Sequence, residues 1–260
     1  MDTAALKDSA PVNPDNGGRG TSSSVAPARN VPTVSVIIPA LNEAENLRHV
    51  LPRVPRWVHE VILVDDHCTD DTVVVARELL PSVVIVENQR EPGKGNALRA
   101  GFESARGEVI VMLDADGSED PGEIPMFVGA LIAGADFAKG SRFIRGGGTS
   151  DMPWLRRLGN KVFVLLVRAL YGARYSDLCY GYNAFWRRVL PRLDLDADGF
   201  EIETMLNIRA HKAGLAIKEV PSFEAERIHG MGRLVTLPDG WRVLKTIWRE
   251  RRVAPQPSPS

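Results

Sequence analysis

Glu108-Val-Ile-Val-Met-Leu-Asp-Ala-Asp-Gly-Ser118 decides how this chain folds. Its apolar run, rich in β-branched residues, reads as a strand buried on both faces. Two carboxylates, Asp114 and Asp116, follow at the strand's end with Ala115 between them. Such a pair can share a hard cation, because Mg²⁺ is typically held by one or two carboxylates together with substrate phosphates. An Asp-x-Asp is also a common capped loop, so its neighbours in the fold must give it meaning.

Upstream and downstream, short β-branched runs alternate with helical spacing. Strands are expected over 34–38, 60–64, 82–87, 108–113 and 135–139, with helices over 43–54, from Thr69 or Asp70 to Leu80, over 93–105 and from Pro121. That alternation argues for an α/β fold with a mostly parallel central sheet flanked by helices. The second half is less regular. Residues 153–171 read as a helix with apolar residues nearly all round, 177–186 as mixed, 199–213 as helix, 215–220 as strand and 239–251 as a last helix. Residues 1–32 and 253–260 are rich in Ser, Gly and Pro and are expected to be disordered tails. Between them, 33–252 is expected to be a single domain, with a nucleotide-binding half (33–142) and an acceptor-facing half (143–252).

Ligands of open parallel sheets bind beyond the carboxyl ends of the strands. Those ends carry Pro39-Ala-Leu-Asn-Glu43, Asp65-Asp66, Gly93-Lys-Gly95 and Asp114-Ala-Asp116, so polar and acidic residues converge on one edge. One carboxylate of Asp65-Asp66 could cap the next helix while the other binds a base or ribose. Lys94, at a helix start between two glycines, suits a phosphate or is a solvated turn residue. No P-loop spacing is present.

The 260 residues suit one large α/β domain, and 44% apolar residues allow a sizeable core. A formal net charge of −1 gives no global basic field for nucleic acid. Cys68 and Cys179 make no disulfide framework, which fits a reducing cytosol. His67, His211 and His229 have no metal-ligand spacing. No run approaches the ~18–20 apolar residues of a membrane span, and no signal-peptide pattern stands at the start. A cytoplasmic protein is expected.

Taken together, these motifs resemble glycosyltransferase family 2, and within it the dolichol- or polyprenyl-phosphate sugar synthases. The likeness rests on Pro39-Ala-Leu-Asn-Glu-Ala-Glu-Asn46, Val64-Asp-Asp-His-Cys-Thr-Asp-Asp-Thr72, Asp114-Ala-Asp-Gly-Ser-Glu-Asp-Pro121, Gly140-Ser-Arg142, Asp177-Leu-Cys-Tyr-Gly-Tyr-Asn-Ala-Phe185, Phe200-Glu-Ile-Glu203, Glu219-Val-Pro-Ser222 and Arg227-Ile-His-Gly-Met-Gly-Arg-Leu234. The resemblance implies the GT-A (nucleotide-diphospho-sugar transferase) fold. It implies that Pro39, Leu41, Glu43 and Asp66 line the nucleoside pocket, that Asp114 and Asp116 bind Mg²⁺ or Mn²⁺ with the donor diphosphate, and that Arg142, Arg227 and Arg233 serve phosphates. Departures leave the sugar and the base open: Gly117 where the family has Leu, Gly232-Arg233 where it has Ser-Lys, and Glu201 where mannosyl enzymes usually carry Gln.

An inverting transfer from a UDP- or GDP-sugar follows as the expected reaction, with a polyprenyl phosphate on the cytoplasmic membrane face as acceptor. A lipid phosphate needs no general base; a hydroxyl acceptor does, and Glu201 or Glu203 is the candidate, with at most one of them facing inward. The 154–171 segment mixes Trp, Arg, Lys and aliphatic residues as interfacial helices do, and reads equally as a buried helix of the fold or a dimer contact; a polyprenyl acceptor, met at a membrane, favours surface docking with Phe163 and Leu166 toward lipid. The alternatives are a family 2 enzyme acting on a hydroxyl of a saccharide or small metabolite, a sugar-1-phosphate nucleotidyltransferase, and a non-catalytic nucleotide-sugar binder. Pro39–Glu43 speaks against the nucleotidyltransferase, which tends to open with a Gly-rich signature.

Overall fold

The computed structural model describes residues 31–150, 152–232 and 235–254. Both expected tails lie wholly or largely outside this range, and so does Arg233.

In chain order the elements are β1 (Val34–Ala40), α1 (Ala44–Val50), β2 (Glu60–Asp65), α2 (Thr72–Leu79), β3 (Val84–Glu87), α3 (Lys94–Ser104), β4 (Val109–Met112), α4 (Ile124–Ile132), β5 (Phe137–Ser141), β6 (Gly148–Thr149), α5 (Trp154–Tyr171), β7 (Asn183–Trp186), α6 (Leu190–Leu193), α7 (Ile202–Lys212), β8 (Ile217–Pro221), β9 (Phe223–Glu224) and α8 (Thr236–Arg249). Seven strands form the main sheet in the order β3-β2-β1-β4-β7-β5-β8. All neighbours pair parallel except β7, which runs antiparallel to both β4 and β5. The central sheet is therefore mostly parallel and flanked by helices, as the alternation of runs implies.

Strand periodicity divides the core. Val36 and Ile38 of β1 face a layer with Leu47, Val75 and Phe127 from α1, α2 and α4. Ile37 and Met112 face the opposite layer, with Leu98 of α3 and Met205 of α7. A third cluster joins α5, α7 and α8 through Val167, Ile208, Val243 and Ile247.

Two expectations change. The mixed stretch 177–186 ends in β7, whose Asn183 pairs with Met112 of β4. The strand runs backwards, so its start stands beside the end of β4. Second, α5 has apolar residues nearly all round, as expected, but buries one side only: Asn160 and Val167 are fully buried, while Trp154, Leu158 and Leu165 are exposed. Phe163 and Leu166, expected to face lipid, are instead half-buried and pack on the third cluster. Their spacing from Val167 and Leu170 sets them on the helix face that α7 and α8 cover.

Candidate active site

A cavity of about 470 Å³ opens where the strands of the parallel set end. β1 delivers Pro39, Leu41 and Glu43; β2 delivers Asp66; the start of α3 delivers Lys94; β4 delivers Asp114, Ala115 and Asp116. Arg142 after β5, Glu203 in the first turn of α7 and Arg227 after β9 complete the wall. The size and the mixed apolar–polar wall suit a small ligand.

The Asp65-Asp66 pair splits. Asp65 is absent from the cavity wall, and its Oδ1 accepts from the Cys68 N–H (2.7 Å) in the turn that follows. Asp66 is buried in the wall. Its Oδ1 accepts from Asn88 Nδ2 (2.6 Å), and its Oδ2 from the Gly93 N–H (3.0 Å). The Glu201/Glu203 pair splits too. Glu201 lies outside the wall, with Oε1 accepting from the Gly199 N–H at the approach to α7 (3.3 Å). Glu203 points in and is buried. Two residues on a helix end cannot share a face at this spacing.

The electrostatic centre is Lys94. Its ammonium bridges Asp114 (2.7 Å to Oδ1) and Glu203 (2.7 Å to Oε1). Burial alone would depress Lys94, but the charges of Asp114, Glu203 and Glu119 hold it well above the ordinary lysine value. One ammonium does not balance three acids. Burial raises Asp114, and the Asp116 charge adds to it against Lys94. Burial and the nearby Asp114 push Glu119 well up. Burial also raises Glu203.

The arginines are engaged. Arg142 forks onto Asp177 (Nε–Oδ2 2.7 Å, Nη2–Oδ1 2.9 Å), gives Nη1 to both Glu224 oxygens (3.0 Å each) and lies over the Tyr180 ring. Arg227 holds both Glu43 oxygens (2.6 and 2.5 Å) and reaches Asp116 Oδ2 (3.4 Å). Asn46 fixes this corner by donating to Glu43 Oε2 (2.6 Å) while its Oδ1 accepts from the His229 N–H (2.8 Å).

A profile described as Glycosyl transferase family 2 matches residues 35–193. The polyprenol monophosphomannose synthase of Mycolicibacterium smegmatis is 35% identical over 83% of this chain and 86% of its own length. This chain belongs to glycosyl transferase family 2. The dolichol-phosphate mannosyltransferase of Pyrococcus furiosus is 33% identical over 77% of this chain, which spans 59% of that protein. Among solved structures, glucosyl-3-phosphoglycerate synthase of Mycobacterium tuberculosis, in complex with Mn²⁺, UDP and glucosyl-3-phosphoglycerate, superposes with a TM-score of 0.67 at 27% identity. That match covers 86% of this chain and 81% of the other. The enzyme is a glycosyltransferase of the GT-A fold, resembling the polyprenyl-phosphate sugar synthases.

In this glycosyltransferase the donor set around Asp114 suits a hard divalent cation. The oxygens offered there are carboxylates, and acid outnumbers base around Lys94. Among the described residues no three His, Cys, Asp or Glu side chains form a closed metal cage.

Sequence reasoning passed over several residues of this site. Glu119, buried, accepts the Asp114 N–H on Oε2 (2.8 Å) and aims the loop; its spacing of five from Asp114 was the available signal. Glu224 and Asp177, which occupy Arg142, lie 82 and 35 residues from it, and no local pattern joins them. Gly181, two residues before β7, forms floor between Lys94, Glu203 and Asp114.

Proposed function

We propose that this glycosyltransferase moves a sugar, with inversion, from a UDP- or GDP-sugar to a polyprenyl phosphate at the cytoplasmic membrane face, using Mg²⁺ or Mn²⁺ held by Asp114 and Asp116. One observation carries the reading: Lys94, Arg142 and Arg227, the cations the donor phosphates would meet, are each already held by two carboxylates. A diphosphate entering so acidic a cavity needs a cation of its own. When bound, the metal neutralises the diphosphate as it departs. The solved relative binds Mn²⁺ and UDP, and two curated relatives are named for transfer to polyprenyl or dolichyl phosphate.

The chain's own residues then divide the work. Pro39 and Leu41 give an apolar wall for the nucleoside. Asp66, held by Asn88 and the Gly93 N–H, keeps oxygen lone pairs for base or ribose donors. Lys94 keeps Asp114 and Glu203 apart and oriented. Arg227 can exchange Glu43 for a phosphate oxygen. The acceptor phosphate is ionised at neutral pH, so its oxygen attacks the anomeric carbon without a general base while the nucleoside diphosphate leaves from the opposite face. On this reading residues 33–142 serve the donor, and 143–252 face the acceptor.

A second reading, a hydroxyl acceptor, is favoured by the solved relative's product, glucosyl-3-phosphoglycerate. Glu203 would then take the hydroxyl proton, its affinity for it raised by burial.

A panel of UDP- and GDP-sugars with Mg²⁺ or Mn²⁺, with and without a polyprenyl phosphate, tests the proposal. Turnover is expected only with metal and lipid phosphate present together. Asp116→Ala should reduce it by about 10²–10³-fold and remove metal dependence; full activity in that variant refutes the metal assignment. Glu203→Gln should keep most turnover on a lipid phosphate and lose it on a hydroxyl acceptor.

A further inference from the structure

Lys139 sits in the middle of β5, fully buried (0% exposed), and takes no part in the cavity wall. Phe137, on the same face of β5, and Phe185 of β7 belong to the apolar layer shared with α3 and α7. A lysine is almost never fully buried unless it is paired. This one gives its protons to two backbone carbonyls, those of Gly140 (2.8 Å) and Tyr180 (3.0 Å), and among the described residues it forms no ion pair. Burial pulls its ammonium below the ordinary lysine range. The fold bears this charge at a cost, and an aliphatic side chain of similar length would suit the layer better.

What the ammonium holds is the floor of the cavity. Across the antiparallel pair of β5 and β7, Lys139 stands opposite Asn183. Both side chains converge on one short stretch of backbone. Asn183 Nδ2 donates to the Gly181 carbonyl (2.9 Å) and, more weakly, to the Tyr180 carbonyl (3.3 Å) that Lys139 also holds. The peptide groups on both sides of the Gly181 Cα are therefore tied to the sheet. That residue needs the tie. A Cβ at 181 would run into Lys94, Glu203 and Asp114, so the position takes glycine, and glycine has the widest backbone freedom of any residue. The Lys139 ammonium also lies 5.6 Å from the centre of the Tyr180 ring, which adds a second hold on the same stretch.

We propose that Lys139 and Asn183 are positioning residues for glycosyl transfer: they lock the backbone about Gly181 and, through it, the spacing of Lys94, Asp114 and Glu203. Neither side chain lines the cavity, so neither touches substrate. Loss of the lock leaves the groups that bind the donor in place. It lets the floor shift beneath the groups that must be aligned as the diphosphate departs, and small misplacements there slow the chemical step. The link to turnover rests on the reading of Asp114 and its neighbours as the reaction centre; the lock itself does not.

The test compares the full wild-type chain with Lys139→Met, which nearly keeps the length of the side chain and removes its charge. The Tm of this variant should match or exceed that of the wild type, because a buried charge is gone. With whichever donor of the UDP- and GDP-sugar panel turns over, kcat should fall at least about tenfold while KM for that donor stays within about twofold. Amide hydrogen exchange, followed by mass spectrometry without substrate, should quicken in residues 179–183 and stay unchanged in α3 and α7. Asn183→Leu, uncharged and of similar shape, should give the same kinetic and exchange signatures. A Tm lowered enough to account for the lost turnover would make Lys139 a residue of the fold alone and overturn the proposal. Native kcat in both variants, or native exchange in both, would overturn it too. If the wild type turns over no sugar nucleotide, the reading of the reaction centre fails by itself, and the exchange result then decides the lock.

Discussion

Glu119 illustrates how a single buried acid can serve a site at a cost to the fold. It aims Asp114 by accepting its N–H, yet burial and the Asp114 charge push its carboxyl well above the ordinary range. A folded-state value raised above the unfolded one means that ionisation opposes folding. The penalty builds as pH rises from the unfolded value to the folded one, and it is absent in acid below both. Glu119→Gln keeps an oxygen for the Asp114 N–H and carries no charge. It is expected to leave thermal stability at neutral pH unchanged or higher, with the gain over wild type vanishing in acid. A lower Tm at neutral pH would show that attraction to Lys94 outweighs the cost of burying the Glu119 charge.

At the scale of elements, the close approaches of α3 and of the stretch leading into β7 make the site. A Cβ at Gly95 would press on the Ala197 carbonyl oxygen and the Asp198 backbone. Backbone cannot swing aside, so Gly95→Ala should cost about 1–3 kcal/mol, read as a drop in the denaturant midpoint. Gly181 is different. Its Cβ would meet Lys94 Nζ (2.9 Å), Glu203 Oε1 (3.0 Å) and Asp114 Oδ2 (3.2 Å), which are the ends of mobile side chains. Gly181→Ala should therefore fold with nearly native Tm and lose at least about tenfold in kcat/KM through misplaced groups. The same two elements mark a limit of legibility. The start of α3 is written in Pro-Gly-Lys-Gly, a local turn signal. The four residues of β7 have no signal of comparable strength, because what makes Asn183–Trp186 a strand is the edge that β4 and β5 offer it.

Across the whole molecule, the second half of the chain is tied together by Arg209. It reaches Glu250 (2.8 Å), Asp196 (2.7 Å) and the Leu193 carbonyl (3.2 Å), joining α7 to the end of α6 and the residue that closes α8. Glu250 is fully buried. Arg209→Ala should destabilise the fold by about 3–5 kcal/mol, since it strands a buried carboxylate, and limited proteolysis should then cut first near α8. Sequence alone determined the α/β alternation, the acidic strand ends and the family motifs, because these are local in the chain: apolar β-branched runs, turn residues and a carboxylate pair one residue apart. Only tertiary structure decided which of Asp65 and Asp66, or of Glu201 and Glu203, faces the cavity, which acids occupy Arg142 and Arg227, and which face of α5 stays open. Those outcomes depend on partners distant in sequence, 22 residues away for Asp66 and Asn88 and 184 away for Glu43 and Arg227. Side-chain direction and ion pairing are set by what folding brings alongside, and residue spacing carries no record of that.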